Sequence, residues 1–150
     1  MKNFILLFLT GCLFLGCMNS CKKKDDNQGG NKWQLTITVD LGGEFAVNAT
    51  ADITISGNSF TAAVTTTKIA GADEVHNVSL QGTVTNGNIL HVTDQHFTIT
   101  MGNDQEPVTI VSATCTISGN NINGTGNMEA LPAGLSSPIA GTFTLQGQIN

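Results

Sequence analysis

The sequence predicts an all-β domain, an eight-stranded antiparallel up-and-down barrel. Three observations carry this. Apolar and polar residues alternate with period two over run after run, as strands with one buried and one wet face require. Short turn signals separate the runs. The pentapeptide Thr-Ile-Ser-Gly-Asn occurs twice, at 54–58 and 116–120, each time between two alternating runs. Gly followed by Asn in a two-residue loop suits a type II′ hairpin turn, whose first turn residue needs φ > 0. The turn fixes register. In the first copy Ile55 faces Phe60, Ile53 faces Ala62 and Ala51 faces Val64. In the second Ile117 faces Ile122, Cys115 faces Gly124 and Val111 faces Met128.

The elements follow in order. The first strand runs from about Trp33 to Leu41, with Leu35, Ile37, Val39 and Leu41 on one face, and Gly42-Gly43 turns it. The second carries Phe45, Val47, Ala49, Ala51, Ile53 and Ile55 inward, and the third returns through Phe60, Ala62 and Val64. After a loop at Lys68–Glu74, the fourth points Val78, Leu80, Gly82 and Val84 inward. A three-residue loop at Asn86-Gly87-Asn88 sets Val84 against Leu90; a strict Asn-Gly turn would throw Leu90 and Val92 outward. The next run changes parity between Val92 and Phe97. One extra residue near Thr93–Gln95 accounts for this, and a β-bulge is favoured over a hairpin because Asp-Gln makes a poor tight turn. A loop at Gly102–Pro107 precedes strands at about Val108–Ser118, Asn121–Glu129 and Ile139–Ile149, with the proline-rich loop Leu131–Pro138 before the last.

With the bulge there are eight strands. An even meander ends antiparallel to its start, so the last strand can pair with the first and close the barrel. A hairpin in place of the bulge gives the alternative, a nine-stranded open sheet or β-sandwich. A membrane barrel reverses the pattern and needs aromatic girdles; the chain has no Tyr and one Trp. Eight meandering strands with Trp33 opening the first resemble a small lipocalin-like, calycin-type barrel. Lipocalins carry Gly two places before that Trp; here Asn31 stands there and Gly30 comes one place earlier. The resemblance implies a fold and assigns no ligand residue.

The N-terminus predicts export. Lys2 precedes an apolar run from Phe4 to Gly16, too short to span a bilayer and suited to a secretory signal. Leu13-Phe14-Leu15-Gly16-Cys17 resembles a bacterial lipobox, with Gly16 before the cut and Cys17 as the lipid-bearing residue; Cys21 is the alternative, and Cys12 leaves a very short apolar core. Cys21-Lys22-Lys23-Lys24-Asp25-Asp26 resembles the basic-then-acidic tether of Bacteroidota lipoproteins, which implies an outer-membrane lipoprotein at the cell surface or facing the periplasm. The expected organisation is a signal peptide over 1–16, a lipidated flexible tether over 17–30 and a β-barrel domain over 31–150. Two or more acyl chains hold a protein stably to a membrane without a spanning segment.

Charge narrows the partners. The chain has 11 acidic residues against 6 Lys and no Arg, and only Lys32 and Lys68 lie beyond the tether. Nucleic-acid binding needs basic phosphate contacts and is excluded. Of four Cys, only Cys115 falls in the domain, so no disulfide framework is implied, and it reads as a small buried apolar residue. His91, Asp94 and His96 flank the expected bulge on the outer face. They are too few for a zinc site, so no metal and no cofactor is expected. No nucleophile–base pair or carboxylate pair can be assembled, so an enzyme is not expected.

Two readings of the inward row of small residues (Ala51, Ala62, Gly82, Ala113, Gly124, Gly126, Gly141, Gly147) stay open. They mark strand curvature and close approach, the favoured reading, or an interior left unfilled for an apolar ligand. The expected function is a membrane-anchored, non-catalytic binding module for a small apolar molecule, in a space lined by Ile53, Phe60, Leu80, Val92 and Phe143. The alternative is a structural or inhibitory envelope protein that contacts a protein partner through Lys68–Glu74 and Leu131–Pro138.

Overall fold

A computed structural model describes residues 31–101 and 103–149. The expected signal, the lipid-bearing Cys17 with Cys21 as alternative, and the tether lie outside the described residues. The described chain is a closed antiparallel barrel in sequence order, β1(Asn31–Asp40), β2(Glu44–Ser56), β3(Ser59–Ile69), β4(Asn77–Thr85), β5(Ile89–Met101), β6(Asp104–Ser118), β7(Asn121–Ala130) and β8(Ile139–Ile149). β1 pairs with both β2 and β8, which closes the sheet. No helix occurs among the described residues.

Both copies of the repeated pentapeptide make the expected hairpins. Gly57 and Gly119 take φ of 59° and 58°. Ile55 pairs with Phe60, Ile53 with Ala62, Ile117 with Ile122 and Cys115 with Gly124. The Asn86–Asn88 loop sets Val84 against Leu90. These three turns sit at one end of the barrel and stitch it shut. The carbonyls of Asn58, Asn88 and Asn120 accept hydrogen bonds from the N–H groups of Val84, Ile117 and Ile149, at 2.8, 2.9 and 3.0 Å. Each turn thus satisfies a backbone donor at the start or end of a nearby strand, leaving fewer frayed groups at that end.

The parity change in β5 is a bulge, and one continuous strand runs through it: Asp94 has φ 51°. The nine-stranded alternative therefore does not apply. β6 carries a second irregularity beside it. Thr93 pairs with Ser112 and Gln95 with Ile110 in one unbroken register, so Asp94 and Val111 stand opposite each other in adjacent strands. The ladder between β6 and β7 shifts at the same place. This corrects the expected Val111–Met128 pair: Ile110 faces Met128, and Val111 points outward at 44% exposure. β6 also begins earlier than expected, at Asp104, and includes Pro107. Pro107 is tolerated because its ring nitrogen faces the side where the β7 ladder has ended at Ala130; its carbonyl there accepts from Leu131 N–H at 2.9 Å.

Candidate functional site

Each strand's inward residues divide into two groups along the barrel axis. Toward the stitched end they pack. Trp33, Leu35, Ala49, Ala51, Phe60, Ala62, Val84, Leu90, Val92, Ala113 and Ile122 are all buried. The glycines there make room for neighbours. A Cβ at Gly82 would collide with the His91 carbonyl and the Phe60 ring, and one at Gly126 would collide with the Phe143 ring and the Ser112 carbonyl. At these two positions the small residues serve close packing, the first of the two open readings.

Toward the other end the interior is hollow. A cavity of about 500 Å³ is lined by side chains from all eight strands, among them Ile37, Phe45, Val64, Val78, Ile99 and Met128. The loops after β3 and β7 reach it through Ala70, His76 and Pro132. One wall is thin. β4 and β5 share only the pairs Thr83–His91, Val84–Leu90 and Thr85–Ile89. Beyond them the strands diverge, and the Gln95 side chain bridges the gap by accepting from the Gln81 backbone N–H at 3.3 Å. Val78 and Leu80 on β4, and Phe97 and Ile99 on β5, line the cavity along this seam.

The five residues expected around a ligand space fall on both sides of the divide. Leu80 and Phe143 line the cavity. Phe60 and Val92 are buried in the packed half, and Ile53 is partly buried against it. Period-two patterning gives the face of a residue and says nothing of its depth along the barrel, so all five looked alike in sequence.

Three polar side chains line the cavity, Thr66, His76 and Glu106. Sequence reasoning missed all three. Thr66 and His76 are tied together at the mouth. The Thr66 hydroxyl accepts from His76 N–H at 2.8 Å and donates to the Glu74 carbonyl at 3.2 Å. The His76 Nε2 lies 3.2 Å from the Glu74 carboxylate. Glu106 continues the inward parity of Val108 and Ile110. That alternation was its one signal in the sequence, hidden by reading 102–107 as a loop.

The outer-face histidines are engaged separately. His91 lies between Thr85 Oγ1 at 2.9 Å and Thr114 Oγ1 at 3.3 Å. The His96 Nε2 is 3.0 Å from the Asp94 carboxylate, with both side chains well exposed. No group of three or more metal-ligating side chains forms among the described residues. Cys115 is an uncombined thiol on the inward side of β6, and burial pushes its pKa up to about 11 from an ordinary 9.0. A thiol so protonated is a weak nucleophile.

The fold closes as the sequence predicts, with its hollow half at the loop end and its packed half at the turn end. No protein-family model matches the chain, and no curated protein matches it either.

Proposed function

We propose that the chain is an exported, lipid-anchored, non-catalytic binding protein whose barrel takes a small apolar molecule into the cavity. The carrying observation is the cavity: about 500 Å³, placed wholly at one end and walled by apolar side chains from every strand. Ligand sites commonly fall in the range of about 300–1,000 Å³, are largely apolar and hold a few placed polar groups. Thr66, His76 and Glu106 are such groups. In this reading the lipid on Cys17 holds the domain to the outer membrane, at the cell surface or facing the periplasm.

Titration with the neutral fluorophore N-phenyl-1-naphthylamine is expected to show one saturable site with blue-shifted emission. Ile99→Trp, which fills the cavity from β5, is expected to weaken that site at least about tenfold while the far-UV spectrum is unchanged. A linear, non-saturating signal for the unaltered chain would remove the reading. The anchor is tested separately by growing cells on radioactive palmitate. Cys17→Ala is expected to abolish labelling, and undiminished labelling would move the lipid to Cys21 or Cys12.

A second reading is favoured by one observation. Val75 and Leu135 stand 68% and 50% exposed in the two long loops at the open end. Exposed apolar side chains on a rim suit contact with a protein partner, as for an inhibitory or structural envelope protein. The two readings separate on the same variant, because Ile99→Trp fills the cavity and leaves both loops unaltered.

A further inference from the structure

We propose that the cavity selects ligands by charge, taking an apolar body that ends in a cationic amine and rejecting the fatty-acid type of anion. This rests on the apolar-ligand reading above and names the ligand class for the same site. The cavity has one carboxylate in its lining, Glu106, and no Lys. In the loop after β3 the Glu74 carboxylate lies 3.2 Å from His76, which also lines the cavity. An amine head drawn into the cavity finds acceptors in its lining, the Glu106 carboxylate and the Thr66 hydroxyl. A carboxylate head there would meet the Glu106 carboxylate, with no Lys in the lining and with the one ring donor, His76 Nε2, already 3.2 Å from Glu74.

The surrounding field has the same sign. The open end of the barrel carries Asp40, Glu44, Asp104 and Glu129 at strand ends, and Asp73 beside Glu74 in the loop after β3. Lys68 is the one Lys at that end among the described residues. It is turned outward and lies 3.4 Å from Asp73. Lys32, the other, is near the start of β1 at the packed end, opposite Asp52. A low-dielectric cup ringed by charges of one sign concentrates the opposite charge at its mouth and repels the same charge. The apolar walls then take up the ligand's chain by removing its surface from water.

The experiment displaces N-phenyl-1-naphthylamine from the mature chain, carrying Cys17→Ser to prevent lipidation. The competitors are decylamine, 1-decanol and decanoate, all below their micelle concentrations at pH 7.5. The three share one chain length, so their differences report the head. Decylamine is expected to compete about five- to tenfold better than decanol, and decanoate at least fivefold worse, as one or two partly exposed charge contacts imply. The amine-to-alcohol ratio should shrink in 0.5 M salt and in Glu106→Gln, with decanol affinity unmoved. Decanoate binding as well as decylamine would overturn the proposal, and so would a ratio indifferent to both salt and Glu106→Gln. If decanol displaces the probe while the amine gains nothing, charge selection fails and the apolar-ligand reading stands. If the probe itself does not bind, both fail.

Discussion

Trp33→Ala is expected to cost about 3–5 kcal/mol of unfolding free energy, the range for deleting a buried aromatic side chain. Trp33 is 2% exposed and sits where β1 meets both β2 and β8, at the seam that closes the barrel. It belongs to the buried apolar cluster of the packed half, whose members are fixed on paired strands that cannot close the hole without breaking ladders. The comparison is Phe45→Ala at the other end. Phe45 is half-buried and already borders open space, so its loss enlarges an existing void and is expected to cost only about 1–2 kcal/mol. Guanidinium midpoints at constant slope measure both. An equal loss at the two sites would mean that the packed and hollow halves do not differ in stability as their geometry requires. With a total of about 5–15 kcal/mol for a domain of this size, Trp33→Ala is also expected to lower the yield of folded protein.

The second large effect is alkaline. The folded Cys115 thiol keeps its proton to about pH 11, whereas the unfolded one releases it near 9. The unfolded chain therefore loses the proton first as pH rises. Cys115 contributes stability that is whole below pH 9, declines through the interval and is gone above 11. After allowance for partial exposure the loss should reach about 2 kcal/mol. The chain is well suited to show this, because it has no Tyr whose phenol would lose its proton in the same range. In a mature chain with Cys17 and Cys21 replaced by Ser, stability should fall between pH 9 and 11. Adding Cys115→Ala should flatten most of that fall. A slope that survives the replacement would assign the alkaline loss elsewhere.

Much of the barrel was legible because strand parity and turn chemistry are local. Gly57 and Gly119 need positive φ whatever surrounds them, and the turn alone sets the register of β2 with β3 as far as the Ala49–Thr66 pair, beyond which Thr67 is an extra residue. The bulge at Asp94 was legible because Leu90 and Val92 disagree in parity with Phe97, Ile99 and Met101 on the same strand. Its companion at Val111 was not. Val108, Ile110, Val111 and Ala113 offer apolar residues on both faces, so either register looks satisfactory until β5 is laid alongside. The hollow was illegible for a different reason. Leu80 and Gly82 carry the same sequence signal, but one lines a cavity and the other lies under a Phe60 ring. Depth along the axis is set by how eight strands are staggered, which no single strand encodes. His76 was passed over because its partner Thr66 lies across a loop, and that contact exists only once β3 and β4 are paired.

The stitched end also receives the polypeptide. β1 enters there at Asn31, opposite Ile53, and β8 leaves there beside Trp33. Under the lipid anchor proposed at Cys17, the attachment would fall at the packed base of the cup and leave the rim free to face away from the bilayer. Such a domain would sample what arrives from the aqueous side. Cargo bound for the membrane beneath would have to travel round the barrel or wait for the tether to tip it over.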